Sequence, residues 1–376
     1  MSSKFLFTLA LVISTSALAQ PRKKVVATPA ATPVTVHETR HEVQIPAGTP
    51  PSAEMTSTGT QASNEPLLQK ETEVRRSFHF EGFVEPQFTI VNKDWYPSRG
   101  FTLNDGALYL SKEFSRGVSA MIDLPFASTV AATGTSIGFG ASRAQAYLNY
   151  VTGPVQVKFG QYDSIFGYER NDSRDRFFAD AGIIKSNLLP ATHVGLMGGY
   201  SFGAVTLRGQ LTNQHDTSTM ANSNAELGLQ ARFDGEPAFA AAGLTYSDQK
   251  NVSGSNMLID VMAGVKMNQF TGGVYFDDVK TAGVDKHATG FGAQGSYNVS
   301  TDLGVGGRVE YASDFSDLAT GTPAAVKNEF LISAGPSYRW MQDLTLRADA
   351  DVASITPVTG DSVTVFGLQG SVVASF

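Results

Sequence analysis

From Phe78 to Phe376 apolar and polar side chains alternate with a period of two, and that regularity excludes most folds. In the first stretch Phe78, Phe80, Gly82, Val84, Pro86, Phe88 and Ile90 alternate with His79, Glu81, Phe83, Glu85, Gln87 and Thr89. Successive side chains of an extended strand point to opposite sides, so the pattern demands one apolar face and one wet face. It recurs at 77–91, 102–113, 117–127, 140–151, 154–162, 191–202, 204–213, 224–234, 237–247, 256–267, 269–278, 287–299, 302–313, 328–340, 343–354 and 362–376, sixteen strands in all.

The connections alternate in length as the strands alternate in direction. Ser115-Arg116, Thr152-Gly153, Gly203, Gly235-Glu236, Asn268, Ser300-Thr301 and Met341-Gln342 are short, whereas 92–101, 128–139, 163–190, 214–223, 248–255, 279–286, 314–327 and 355–361 are long. Bacterial membrane barrels join their strands by short periplasmic turns and longer extracellular loops. A soluble β-sandwich is not expected to alternate so regularly. Only 17% of the residues are charged, against about 25% in soluble chains, and lipid-facing positions account for such a deficit. The expected fold is therefore all-β: a transmembrane antiparallel up-and-down barrel of about sixteen strands. Fourteen and eighteen are the neighbouring counts, given boundary errors of two to four residues.

Two segments precede it. Lys4, the apolar run Phe5–Ile13 and Ala17-Leu18-Ala19 fit a secretory signal peptide over 1–19. Residues 20–76 hold seven of the sixteen prolines and no aromatic side chain. Such a segment buries too little apolar surface to offset its chain entropy, so a disordered periplasmic extension is expected, with the barrel over 77–376. At the other end, Phe366, Leu368, Gly370, Val372, Ala374 and Phe376 share one face. A terminal Phe closing such a strand resembles the signal read by the outer-membrane barrel-assembly machinery.

If the apolar set faces lipid, the charged set lines the lumen. Lys or Arg on the lipid face near the midplane would cost about 2–4 kcal/mol. The expected lumen wall includes Arg143, Lys158, Arg208, Arg232, Asp260, Arg308, Glu310, Arg339, Arg347 and Asp349, with ladders within the wall around Arg308 and along Arg347, Asp349 and Asp351. A barrel this wide is not filled by its own side chains, so a water channel is expected.

The longest connection, Asp163 to Pro190, sets Phe166, Tyr168, Phe177, Phe178, Ile183, Ile184, Leu188 and Leu189 among many charges. A loop this apolar must pack against something. Folded inward, it would constrict the pore with Tyr168, Glu169, Arg170, Asp172, Arg174, Asp175, Arg176, Asp180 and Lys185. Folded outward, it would pack on neighbouring loops or subunits.

The run Phe159-Gly160-Gln161-Tyr162-Asp163-Ser164-Ile165-Phe166-Gly167-Tyr168-Glu169-Arg170, then Pro190-Ala191-Thr192-His193-Val194-Gly195, resembles the OmpL-like β-barrel porins. Those carry a G-x-x-x-(S/T/D)-P-x-G-x-E stretch after a strand, an aromatic-rich loop and a P-x-T-H-x-G return. The resemblance covers 78–376 and implies passive diffusion of small solutes across a bacterial outer membrane.

The functional expectation is a pore for small hydrophilic solutes and ions, in contact with outer-membrane lipid, the assembly machinery and, as one option, two further copies in a homotrimer. Residues 77–376 hold 29 acidic against 20 basic side chains, which favours a weak cation preference. The other reading is a structural or adhesive barrel with a plugged lumen. No cofactor, metal site or nucleic-acid partner is expected: there is no cysteine, and the chain is acidic without a basic patch. Nor is an enzyme, since Thr192 and His193 point to opposite faces and no G-x-S-x-G, H-E-x-x-H or phosphate-cradling loop occurs.

Overall fold

The structure, a computed structural model, describes residues 78–92, 99–114, 117–131, 134–140, 143–213, 225–248, 254–283, 287–315 and 326–376. The expected signal peptide and the 20–76 extension lie outside these residues. The strands run β1 Phe78–Val91, β2 Arg99–Glu113, β3 Val118–Ala131, β4 Gly134–Phe139, β5 Gln145–Thr152, β6 Val155–Asp163, β7 Thr192–Phe202, β8 Val205–Thr212 and β9 Glu226–Asp234. They continue with β10 Ala238–Asp248, β11 Ser255–Met267, β12 Phe270–Lys280, β13 His287–Asn298, β14 Leu303–Ser313, β15 Val326–Met341, β16 Leu344–Pro357 and β17 Val363–Ser375.

Every pairing is antiparallel, all but β3–β5 and β1–β17 join chain neighbours, and β1 pairs with both β2 and β17, so the sheet closes on itself. The seventeen strands make sixteen staves. β4 pairs with the upper part of β3, from Phe126 to Ala131, and β5 pairs with its lower part, from Val118 to Asp123. They are two halves of one stave, parted where Gly140 donates to the Pro125 carbonyl at 2.9 Å.

This stave corrects one expectation. The long connection placed at 128–139 is a hairpin whose arms are strands. Its small Ser, Thr and Ala residues carry little hydrophobic alternation. The β-branched Thr129, Val130, Thr135 and Ile137 nevertheless suit an extended backbone, and the backbone ladder satisfies its polar groups.

Burial is inverted relative to a soluble protein. Phe101, Phe159, Leu229, Val274 and Phe291 are more than half exposed, whereas Glu85, Asp105, Asp123, Glu226, Asp260, Asp277, Arg308 and Glu310 are buried. One parity of each strand is an apolar outer face and the other a polar inner face, as hydrocarbon outside and water inside require. In β2 the parity changes partway. Glu85 pairs with Asp105 but Pro86 pairs with Leu103, so Asn104 is an extra residue in the ladder. A bulge of this kind sends Phe101 outward and Asp105, Ala107 and Tyr109 inward, although all four are odd-numbered.

The connection between β6 and β7 contains a 3₁₀ turn at Ser173–Asp175 and a five-residue helix at Ile183–Asn187. Its Phe166, Ile183, Ile184, Leu188 and Leu189 are buried in one cluster with the inner-face residues Ala241, Leu258, Met262, Tyr275, Val279, Ala288, Ala312 and Leu331 of β10 to β15. Each such side chain taken out of water is worth about 1.5–3 kcal/mol.

Glycines make room for them. A Cβ on Gly243 would lie 2.6 Å from the Phe166 ring, one on Gly273 2.5 Å from Tyr168, and one on Gly290 2.8 Å from Ile184. Gly306 is occupied in the same way by Phe177. The wall is notched where the connection rests.

Candidate functional site

The backbone of the β6–β7 connection carries donors and acceptors that no helix or sheet of its own satisfies, and the inner wall supplies partners. The amide of Gly167 donates to Asp260 at 3.1 Å and that of Ser173 to Asp105 at 3.0 Å. The amide of Ala179 donates to Asp349 at 2.9 Å and that of Ile183 to Glu310 at 2.6 Å. In return Arg347 donates to the Ser173 carbonyl at 2.8 Å, Arg308 to that of Asp180 at 3.1 Å, and Gln230 to that of Ile165. Charge-assisted hydrogen bonds of this type are about twice as strong as neutral ones.

Side chains complete two groups of contacts. In the first, Arg308 meets Glu169 at 2.9 Å and stacks its guanidinium 4.8 Å from the Phe178 ring. Glu169 also accepts from the Gly182 amide, and Tyr275 donates to Glu310 at 2.7 Å. Arg308 thus pairs with the connection and also donates to Ser333 across the wall at 3.1 Å, while Asp351 accepts from Gln369 of the neighbouring strand at 2.8 Å. In the second group Asp105 holds Arg143 at 2.7 Å and lies 3.8 Å from Arg176. Arg347 lies 3.5 Å from Glu85, and Arg174 lies over Tyr109 with its carbon 4.4 Å from the ring centre. Tyr109 donates to Asp172 at 2.6 Å. Burial pushes the Asp172 carboxyl up to about 6, opposed by that hydrogen bond.

The remaining expected residues fall as follows. Tyr168 stacks on Tyr275 at 5.1 Å, and Arg170 and Asp175 are exposed. Asp180 accepts from Gln87 at 3.4 Å, and Lys185 sits half-buried on the short helix, within the electrostatic reach of Asp260 and Asp277. Arg232 is bidentate to Asp234 at 2.6 and 2.8 Å. Lys158 lies 4.6 Å over the Tyr147 ring and Arg208 donates to Gln230 at 2.8 Å. Arg339 is exposed near the end of β15. Phe376 is exposed on the outer face, its ring 6.3 Å from that of Phe80.

A further cluster closes the base of the connection. Ser164 Oγ lies 3.3 Å from His193 Nε2, and His193 Nδ1 lies 3.5 Å from Glu226. The order nucleophile, imidazole, carboxylate is that of a hydrolytic triad. Here the His193 and Glu226 side chains have no exposed surface, and Ser164 Oγ accepts from the Phe166 amide at 3.2 Å. The cluster joins the first residue of the connection to the strand that receives its last, beside the backbone bond from Ser164 to Ala191 at 2.9 Å. Reading His193 against Thr192 alone missed both partners, which lie 29 and 33 positions away in sequence.

A closed sixteen-stave barrel with an apolar exterior and a charged inner wall defines an outer-membrane β-barrel of the porin class. The family described as "Putative beta-barrel porin-2, OmpL-like" matches residues 83–374, and the chain belongs to it. Its place is the bacterial outer membrane. Among solved structures it is similar to the outer-membrane channel DcaP of Acinetobacter baumannii, at 15% identity and a TM-score of 0.60 over 80% of this chain and 97% of that one. It is similar also to the anion-selective porin of Comamonas acidovorans, at 13% identity and a TM-score of 0.59 over 80% and 99%. The trimer form of OmpT from Vibrio cholerae follows at 12% identity and a TM-score of 0.54 over 80% and 99%. At these identities the likeness is one of fold. No curated protein matches the sequence significantly.

Proposed function

We propose that this porin is a general diffusion channel for small hydrophilic solutes and ions, weakly cation-selective, whose β6–β7 connection folds into the bore and constricts it. One observation carries the reading. The hydrogen bonds of the connection reach inner-face residues on staves from β1, β2 and β9 through β11 and β14 to β16, on opposite sides of the barrel. A segment resting on outer loops or on a neighbouring subunit would not meet them. In this reading Tyr168, Glu169, Arg170, Asp172, Arg174, Asp175, Arg176, Asp180 and Lys185 shape the narrowest part, and the charged inner face forms the wall around it.

The cation preference rests on the excess of acids over bases and on Asp248, Asp278, Asp314 and Asp361 near the ends of long connections. A Debye length of about 8 Å at physiological salt keeps their effect local and the selectivity weak. By the same reading residues 1–19 direct export and 20–76 extend into the periplasm. Phe376 is read by the assembly machinery, and the barrel forms a homotrimer, as the OmpT structure does.

The test is the reversal potential of the purified protein across a tenfold KCl gradient in a planar bilayer. A small potential of cation sign is expected. An anion-selective potential would overturn the selectivity, and the absence of conductance would favour a plugged structural barrel.

A further inference from the structure

Three carboxylates of the inner wall and the connection are joined in one ring whose other members are neutral. Asp123 stands opposite Gln145 across β3 and β5 and accepts from its side-chain amide at 2.9 Å. The same Gln145 accepts from the backbone amide of Asp163 at 3.0 Å, and the Asp163 carboxylate accepts from Asn171 at 2.7 Å. Asp172 follows Asn171 in the chain and accepts from Tyr109 at 2.6 Å. Tyr109 closes the ring, since it stands opposite Asp123 across β2 and β3. Residues directly opposite in an antiparallel ladder have Cβ atoms about 4.5–5.5 Å apart, so both cross-strand steps join immediate neighbours.

Among the described residues no base lies within 4.0 Å of Asp123, Asp163 or Asp172. The bases that border the ring are turned to other partners. Arg143, two positions before Gln145, holds Asp105 at 2.7 Å, and Arg174 lies over the Tyr109 ring and 3.7 Å from Glu81. Lys158 lies over Tyr147, two positions after Gln145. Asp123 is only 2% exposed, and its Oδ1 has no hydrogen-bond partner among the described residues. A buried carboxylate oxygen left unmatched is costly, and a donor that also brings positive charge relieves that cost. Asp163 and Asp172 are half-buried, so the ring keeps an accessible side.

Three acids held together by neutral groups attract a cation, and the geometry narrows its kind. Among the described residues no three acidic or histidine ligands are placed to hold a bare metal ion. A cation that brings its own N–H donors needs no such close convergence, and an ammonium group offers three of them. We propose that Asp123, Asp163 and Asp172 form a binding site, on the wall from β2 to β6, for solutes carrying a protonated amine. The proposal rests on the porin reading and deepens it: the cation preference acquires a place beside the constriction and a preferred chemistry.

The experiment uses the full chain in planar bilayers carrying a steady KCl current at pH 7.5. Putrescine, calcium and the neutral butanediol are titrated in turn on wild type and on D172N, D123N/D163N/D172N and D302N. Concentration-dependent block by putrescine, weaker block by calcium and none by butanediol are expected. The triple variant should need at least about tenfold more putrescine for the same block, corresponding to the loss of one charge-assisted contact or more. Its KCl reversal potential should also move toward zero. Asp172 belongs to the connection, so D172N leaves the wall strands untouched and should weaken the block severalfold even if the triple variant fails to insert. Asp302 is exposed on a short turn away from the ring, and D302N should be blocked as the wild type is. Equal block of wild type and D172N, block by calcium as strong as by putrescine, or no block while KCl conductance is intact would overturn the site. Absence of KCl conductance in the wild type would instead overturn the porin reading beneath it.

Discussion

Arg308 and Glu169 are each nearly removed from water, so neither charge is tolerable without the other. Removing one member of a buried pair costs about 3–5 kcal/mol, because the survivor stays desolvated and unmatched. Arg308→Gln should therefore loosen the connection around Gly182 and Ile183, whose amides are held by Glu169 and Glu310. The expected outcome is faster proteolysis between Ser164 and Ala191 and a larger, noisier single-channel current, with E169Q/R308Q partly restored. Unchanged proteolysis in R308Q would show that the pair does not hold the connection. Asp172 supplies the pH dependence. With its carboxyl raised to about 6 in place, ionisation opposes docking. The favourable contribution of the protonated form is complete below the ordinary carboxylate range and is lost as pH rises through about 6. Conductance should accordingly be lower at pH 5 than at pH 7.5, and Asp172→Asn should flatten that difference.

Strands were legible in the sequence because lipid on one side and water on the other write the period-two pattern directly. That pattern gave sixteen staves with boundaries within a few residues of those observed. It failed where the pattern is physically weak. The 134–139 arm carries too little hydrophobic contrast to register, and the bulge at Asn104 reverses the parity of β2, which hid Asp105 and Tyr109 as inner-face partners. The Pro190-to-Gly195 motif was visible, but its purpose required Ser164 and Glu226 to be brought to His193 by strand pairing. The glycine notches were equally silent, since glycine in a barrel strand also occurs with nothing resting on it. They yield a direct prediction for the connection as an element. Gly273→Leu places a side chain where the Tyr168 ring lies, beside its stack on Tyr275. The barrel should still form, judged by its heat-modifiable migration, whereas single-channel conductance should rise as Tyr168 is displaced. A leucine accommodated with wild-type conductance would show that this notch does not position the connection.

At the scale of the whole molecule the barrel exists only if β1 and β17 meet, and Phe376 stands at that seam. Its amide donates to the Gly82 carbonyl at 3.0 Å and its carbonyl accepts from the Gly82 amide at 2.9 Å, while its ring covers the space that a side chain at Gly82 would occupy. The residue thus has two separable parts. Phe376→Ala keeps both backbone hydrogen bonds and loses the ring; deletion of Phe376 loses all of it. If the terminal ring is what the assembly machinery reads, both variants should insert into the outer membrane more slowly and to a similar degree. The barrels that do insert should then show wild-type conductance, because the residue faces lipid and lies far along the chain from the connection. If the residue serves only to close the seam, insertion of the alanine variant should be nearly normal. The deletion should then lower the temperature at which the barrel loses its folded migration, since about 0.5–1.5 kcal/mol is lost with each hydrogen bond. Pulse-chase measurement of insertion alongside a heat-modifiability series separates the two. Normal insertion kinetics in both variants would remove the signal role and leave Phe376 as a seam residue on the membrane-facing surface.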